Sequence, residues 1–85
     1  MSRNKLDPMD VLLGQQIRKI RRDKGLLSKY VTEKMGKKGT YLTFREAGQV
    51  PVSVKDLTKL CTILNVSADD ILGIFLPQNL NDNEN

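Results

Sequence analysis

The sequence predicts a compact all-α domain built from five short helices. Apolar residues recur at helical spacing in five segments, no segment alternates cleanly with a period of two, and capping residues stand before several of the segments. A chain of 85 residues is the size of one domain with a small core.

The first helix is predicted over residues 8–24. Asp7 can cap it, and Pro8 suits the first helical position because the amide hydrogen that proline lacks would be unpaired there anyway. Gly25 ends the pattern. The residues expected to face the core are Met9, Leu13, Ile17 and Ile20.

Two shorter helices follow, on either side of the segment "GKKG" at 36–39. The second begins near Ser28, which lies in the cap position or just inside it, and ends at Gly36. Its periodic apolar residues are Leu27, Val31 and Met35.

The third helix is predicted over residues 40–47. Thr40 is a potential N-terminal cap, and Gly48 stands where a helix commonly ends in left-handed backbone. The second and third helices are therefore joined by a tight turn that contains glycine.

The fourth and fifth helices share a start signal, "SVKD" at 53–56 and "SADD" at 67–70, in which serine precedes an acid by three residues as in a capping box. Pro77 closes the fifth helix, and the polar residues 77–85 are expected to be disordered. The expected core residues of the fourth helix are Val54, Leu57, Leu60, Cys61 and Leu64, and those of the fifth are Ile71, Leu72 and Phe75.

Composition argues against several functional classes. The chain has no histidine and one cysteine, so the commonest metal ligand and general base are missing and no disulfide framework can form. No nucleophile and base pair is recognisable, so we expect no enzymatic activity, no metal, no cofactor and no small-molecule ligand. No apolar run is long enough to span a bilayer and the N-terminus lacks signal-peptide features, so a cytoplasmic protein without membrane association is expected.

Charge is distributed unevenly along the chain. Residues 1–64 hold all fourteen Lys and Arg and six acids, a net charge of +8, whereas residues 65–85 hold four acids and no base. This asymmetry favours a surface for a polyanion on the body of the domain. The alternative is a basic domain whose charge serves solubility alone.

Two short helices joined by a tight glycine turn match the helix-turn-helix unit, which presents its second helix to the major groove of double-stranded DNA. Base edges and thymine methyl groups accept hydroxyl and apolar contacts, so the candidate base-reading residues are Thr40, Thr43 and Phe44. Phosphates attract cations, and the candidates nearby are Lys29, Lys37 and Lys38. The alternative is a helical hairpin in a bundle that does not touch nucleic acid.

Further phosphate candidates lie next to this unit. Tyr41 is expected either beside the DNA backbone or packed under the turn. The start of the fourth helix favours a phosphate because of its amides and dipole, and the residues there are Gln49, Ser53 and Lys55. For Ser53 the alternative is capping alone. Arg18 and Arg21 are expected to pair within the domain.

The motifs resemble a known family over residues 13–72. The chain is similar to the helix-turn-helix of lambda-repressor-like, Cro- and Xre-type regulators, and most similar to the short controller proteins of restriction-modification systems, which share the "TYL" and "VS" motifs. The segments that align without gaps are "LGQQIRKIRRDKGL" (13–26), "VTEKMG" (31–36), "TYLTFREAG" (40–48) and "VSVKDLTKLCTILNVSADDIL" (52–72).

The resemblance implies a lambda-repressor-like fold with the helix-turn-helix at helices 2 and 3, a dimer, a palindromic operator and an ion pair between Arg21 and Glu46. Ser28 occupies a position where the family usually has a phosphate-binding glutamine, although its hydroxyl can still contact a phosphate. Arg45 occupies a position that the family makes aliphatic, beside Phe44. Either Phe44 is exposed, or the third helix is rotated so that Phe44 packs inward and Arg45 faces DNA.

The sequence therefore predicts a sequence-specific, dimeric DNA-binding transcriptional regulator, either a repressor or a self-regulating controller. A helix-turn-helix adaptor for a protein partner, such as an antitoxin or phage regulatory protein, is the alternative. The predicted organisation is an N-terminal arm at 1–7, the DNA-binding domain at 8–76 and the tail at 77–85. The candidate homodimer contacts, with an ordinary core edge as the alternative, are Ile71, Ile74, Phe75 and Leu76.

Overall fold

A computed structural model describes residues 6–75 of the chain. Five α-helices and a final 3-10 turn make up this part, which contains no strand: α1 Pro8–Asp23, α2 Ser28–Lys34, α3 Tyr41–Glu46, α4 Val54–Leu64, α5 Ala68–Leu72 and the turn Gly73–Phe75. The all-α, five-helix class predicted from sequence is confirmed. Most of the predicted arm, the tail at 77–85 and the dimer candidate Leu76 lie outside the described residues.

Side-chain caps begin three of the helices. Asp7 accepts a hydrogen bond from the Met9 amide at 2.8 Å, and both predicted capping boxes, at Ser53 and at Ser67, are complete. Thr40 occupies the cap position of α3 without a capping hydrogen bond, so its predicted capping role is wrong. Its φ and ψ of −94° and 19° differ from the extended backbone of Asp7, which aims the capping oxygen at the first amides.

Within residues 6–75 the core is a cluster of seven side chains, each no more than 2% exposed. Every α-helix contributes at least one of them, so each amphipathic helix buries its apolar stripe against the others. The members of this cluster are Ile17, Val31, Met35, Leu42, Leu60, Leu64 and Ile71.

Three predicted inward-facing residues lie on the surface. Met9 is 59% exposed, Leu27 73% and Val54 80%. Met9 and Val54 stand in the first turns of α1 and α4, and Leu27 is the residue before α2. Helical spacing assigns a residue to a face of its helix, but the neighbouring helices do not cover these N-terminal ends.

Close backbone contact between α1 and α3 fixes the position of α3. Gly14, in the middle of α1, is buried, and a Cβ atom there would overlap the carbonyl oxygens of Arg45 and Glu46. Gly48 packs against Val11 and has a φ of +80°, in the left-handed region where glycine is favoured. The two glycines therefore bring the C-terminal end of α3 directly onto α1.

Candidate nucleic-acid interface

α3 presents one polar and aromatic face to solvent. Thr40 in its cap position is exposed, as are Thr43 and Phe44, and 44% of Phe44 is accessible. Leu42 is fully buried on the opposite side, and Arg45 is turned toward α4. Of the two orientations that the sequence allows, the structure has Phe44 outward and Arg45 inward.

A pair of hydroxyl groups joins α2 to α3. Ser28, the first residue of α2, has its Oγ 3.5 Å from the Oγ1 of Thr43. Either hydroxyl can donate, so each can also present its remaining hydrogen-bonding capacity to a ligand. The structure thus brings together a predicted phosphate-binding residue and a predicted base-reading residue.

Three of the predicted phosphate-binding lysines lie close together, Lys37 and Lys38 in the turn between α2 and α3 and Lys29 in the first turn of α2. All three are exposed, and the Nζ atom of Lys37 lies 5.2 Å from the centroid of the Tyr41 ring. They line one shallow hollow whose residues are Lys29, Thr32, Glu33, Lys37, Lys38 and Gly39. With three cations and one acid, this hollow is electrostatically suited to an anion.

Tyr41 is directed into the domain. Its hydroxyl donates to Oδ1 of Asp56 at 2.6 Å, and this hydrogen bond, followed by burial, raises the pKa of the phenol. The phenol has only one donor, and Asp56 uses it. Tyr41 therefore follows the packing alternative, and we do not retain it as a phosphate-binding residue.

Tyr41, Arg45 and Asp56 form a cluster between α3 and α4. Nε of Arg45 donates to Oδ2 of Asp56 at 3.2 Å, and its Nη1 donates to the Tyr41 carbonyl oxygen at 2.9 Å. The guanidinium carbon lies 3.5 Å from the Tyr41 ring centroid, a stacked cation–π geometry. The family resemblance indicates an aliphatic residue at position 45. Arg45 fits there because its guanidinium pairs with the Asp56 carboxylate and stacks on the Tyr41 ring.

Asp56 is buried, with 4% of the residue exposed. Its carboxylate also accepts a hydrogen bond from the Ser53 amide. Burial raises the pKa of Asp56, but the hydrogen bonds from Tyr41, Ser53 and Arg45 outweigh burial and hold the pKa below its ordinary value of 3.8. The folded protein therefore favours the ionised form of the Asp56 carboxylate.

Replacing Asp56 with asparagine is expected to lower the free energy of unfolding by about 2 kcal/mol at neutral pH, because Arg45 loses its carboxylate partner. The pKa of Asp56 is lower in the folded than in the unfolded state. Its stabilising contribution is therefore complete well above pH 3.8 and is lost as the pH falls through the folded-state pKa. Urea denaturation of both proteins across this range should show their difference shrinking in acid. A difference that stays constant would contradict the assignment.

A buried ion pair holds the other side of α3. Nε and Nη2 of Arg21 donate to the two carboxylate oxygens of Glu46 at 2.7 and 3.0 Å, and Nη1 donates to the Leu26 carbonyl oxygen at 2.7 Å. The two side chains are 10% and 6% exposed. The structure thus joins Arg21 to Glu46, the two positions that the family resemblance indicates.

Arg18 lies one turn earlier on α1 and behaves differently from Arg21. It is exposed, and no residue in the described part of the chain forms an ion pair with it. The expectation that Arg18 pairs within the domain is therefore wrong for this part of the protein.

Three phosphate candidates near the start of α4 remain on the surface. Gln49, Ser53 and Lys55 are all exposed. The Ser53 hydroxyl accepts a hydrogen bond from the Asp56 amide at 3.0 Å, so it caps α4 while keeping its own hydrogen available to donate.

The candidate dimer contacts fall into two groups. Ile71 is fully buried in the core, so it cannot contribute to a dimer surface without unfolding α5. Ile74 is 46% exposed and Phe75 is half-buried, so these two can still reach a partner.

The attachment of α5 to α1 includes a side-chain hydrogen bond. Gln16 on α1 donates to the Asp70 carbonyl oxygen at 3.1 Å.

Sequence reasoning missed two residues that position α3. Gly14 interrupts an otherwise helical pattern, and such a glycine usually has a packing reason. Asp56 was interpreted only as part of a capping box, whereas it also receives Tyr41 and Arg45. The glycine carried a recognisable signal in the sequence; the second role of Asp56 depends on a contact that spans 11 to 15 positions.

Within residues 6–75, no three His, Cys, Asp or Glu side chains are grouped so that they could hold a metal ion. None of the helices in this part is both long enough and apolar enough to cross a membrane.

Comparison with known proteins places this geometry in context. A helix-turn-helix family model matches residues 17–71, which include all of α2, α3 and α4. The restriction-modification controller protein C.AhdI from Aeromonas hydrophila is similar in structure, with a TM-score of 0.72 and 29% identity over 76% of this chain and 98% of that one. No curated protein sequence matches the chain.

Two further solved structures are similar. The clp gene regulator ClgR from Corynebacterium glutamicum has a TM-score of 0.73 and 30% identity over 78% of this chain and 70% of its own. The hypothetical transcription factor NHTF from Neisseria has a TM-score of 0.70 at 20% identity, over 95% of this chain and 93% of that one, a likeness of fold.

Proposed function

We propose a mode of operator binding from one premise: the chain belongs to the helix-turn-helix family whose model matches residues 17–71, a family of DNA-binding transcriptional regulators. In this mode two copies of the chain form a symmetric dimer, and each inserts α3 into the major groove of one half of a palindromic operator. The exposed face of α3 is the observation that carries the proposal.

Core packing and ion pairs occupy the other residues of α3 and do not account for that face. Leu42, Arg45 and Glu46 are committed to the core or to ion pairs, and Tyr41 is bound to Asp56. The residues left facing outward are Thr40, Thr43 and Phe44. Threonine hydroxyls can bond base edges and an aromatic ring can contact a thymine methyl group, so these residues are assigned to base reading.

The lysine hollow supplies contacts of a different kind. Lys37 and Lys38 lie in the turn before α3, and Lys29 lies in the first turn of α2. Phosphate contacts fix the position of the protein on the duplex and contribute affinity that falls with added salt. Ser28, Gln49, Ser53 and Lys55 complete the proposed phosphate-binding set.

Thr43→Ala and Lys38→Ala should affect binding in separable ways. The first removes a base contact and should cost about 1–3 kcal/mol at one operator position, with relaxed preference there. The second removes a phosphate contact, should weaken binding to all sequences alike and should reduce the salt slope by about one unit. Fluorescence anisotropy with matched and mismatched duplexes at several salt concentrations measures both effects.

Lys19→Ala is the matched control for loss of a cation, because the Lys19 amine is bound to Asp23 on α1. It should leave affinity and salt slope nearly unchanged. Full sequence discrimination by Thr43→Ala would remove Thr43 from the base-reading set.

Selection of bound sequences from random duplex DNA tests the proposed function directly. A dimer that presents two α3 helices should enrich a palindrome whose half-sites lie about 34 Å apart, one helical turn of DNA. Sedimentation of the free and bound protein gives the stoichiometry. Enrichment of a single half-site by a monomer would contradict the dimeric mode, and no enrichment at all would contradict sequence-specific binding.

A protein-interaction adaptor is the second candidate, favoured by apolar residues on the outer surface of α2 and at its cap. Leu27 and Tyr30 are 73% and 46% exposed. In this second candidate function these residues contact a protein partner, and α3 does not bind DNA. Salt-dependent retention on DNA separates the two candidates, because only the regulator requires it.

A further inference from the structure

A second hollow lies on the flank of α3 that faces α1. Its lining residues are Arg18, Arg21, Ser28, Thr43, Glu46 and Ala47, and we call it the α1–α3 hollow. Ser28 and Thr43, whose hydroxyl oxygens are 3.5 Å apart, are both on this lining. The hollow therefore includes Thr43, which is assigned to base reading. Its lining residues lie outside the turn between α2 and α3 that holds Lys37 and Lys38.

The charges in the α1–α3 hollow do not cancel completely. Glu46 accepts hydrogen bonds from Arg21 at both of its carboxylate oxygens, and Nη1 of Arg21 donates to the Leu26 carbonyl oxygen. This pair is neutral as a unit, and each of the three Arg21 nitrogens already donates one hydrogen bond within the domain. Arg18 adds one cation that no acid in the described part of the chain neutralises.

The surroundings of Arg18 on α1 reinforce this positive potential. Arg18 also lines a shallow depression on the outer surface of α1 with Gln15, Lys19, Arg22 and Asp23. The acid in that depression, Asp23, is bound to Lys19 at 3.0 Å. Arg18 therefore lines both a positive helix surface and the hollow that contains Ser28 and Thr43.

We propose that Arg18 and Ser28 together bind a phosphate of the DNA backbone beside the middle of α3. This inference rests on the proposed function and adds α1 to the interface. A planar guanidinium with several donors matches phosphate oxygens, and the Ser28 hydroxyl supplies a further donor. α3 then has phosphate contacts from the lysine turn before it and from α1 at its flank, while Thr43 remains available for a base.

Arg18→Gln tests the proposal because it keeps a polar, hydrogen-bonding side chain and removes its charge. Binding to operator and to unrelated duplex DNA should both weaken, by about tenfold at low salt, and the salt slope should fall by about one unit. Arg22→Gln is the matched control, since Arg22 lines the outer depression and not the α1–α3 hollow. Thermal denaturation checks that both variants are folded.

Neutral methylphosphonate linkages placed one at a time along the selected operator identify the phosphate involved. One linkage in each half-site should weaken wild-type binding, weaken binding by Lys38→Ala to the same extent, and have a much smaller effect in Arg18→Gln, where only the Ser28 contact remains. If Arg18→Gln keeps wild-type affinity and salt slope while Lys38→Ala loses both, the Arg18 site is wrong and the proposed function stands. If the wild-type protein fails to bind any duplex, both are wrong.

Discussion

Gly14→Ala is expected to lower the free energy of unfolding by about 3 kcal/mol and to abolish operator binding. The added Cβ would overlap the carbonyl oxygens of Arg45 and Glu46, which are backbone atoms that cannot rotate away as a side chain can. Alanine would otherwise favour a helix over glycine by roughly 1 kcal/mol, so the steric overlap must outweigh that gain. Urea denaturation and duplex binding measure the two effects.

Gly73→Ala is the matched control. Gly73 has a φ of −58°, and an added Cβ there would meet no atom of residues 6–75 within 4 Å. The substitution should change stability by well under 1 kcal/mol. Unchanged stability in Gly14→Ala would show that α1 and α3 can separate slightly without loss, and would remove the close backbone contact as the determinant of α3 position.

The sensitivity to Gly14 follows from the length of α3. A helix of six residues is too short to be stable alone, so its position and even its existence depend on packing. Its inner face is fixed by Leu42 in the core, by the Arg21–Glu46 pair toward α1 and by the Tyr41–Arg45–Asp56 cluster toward α4. With these contacts its outer face is held rigidly, which is the preorganisation that a binding surface needs.

Local signals in the sequence were sufficient to predict the five helices. Spacing of apolar residues and the serine caps at Ser53 and Ser67 are properties of a few consecutive residues, and the structure has both capping boxes and five helices. The family resemblance located the helix-turn-helix, since the match at residues 17–71 contains it. The base and phosphate assignments remain predictions.

Properties that depend on distant residues were not predictable in the same way. Val54 fits the apolar stripe of α4 but extends beyond the area that neighbouring helices cover. The direction of Arg45 depends on Asp56, eleven positions away, which lowers the cost of placing a guanidinium where an aliphatic residue is usual. Arg18 and Arg21 are one helical turn apart, yet of the two only Arg21 forms an ion pair within residues 6–75.

Glu46→Ala is expected to have the largest effect on stability, about 3–5 kcal/mol, because it leaves Arg21 buried without its carboxylate. Arg21 is 8% exposed, so water cannot replace the two lost hydrogen bonds fully. The exposed pair Lys19–Asp23 provides the comparison: its side chains are 70% and 64% exposed, and Asp23→Ala should cost under about 1 kcal/mol.

The double variant Arg21→Met/Glu46→Leu separates the charge of this pair from its positioning role. Replacing both partners with apolar residues of similar volume removes the unpaired charge, so most of the stability lost in Glu46→Ala should return. The two directional hydrogen bonds that orient α3 would still be absent, and discrimination between operator and mismatched duplex should therefore stay below that of the wild type. Wild-type discrimination in this stable double variant would show that apolar packing alone positions α3, and that the ion pair does not contribute to reading the operator.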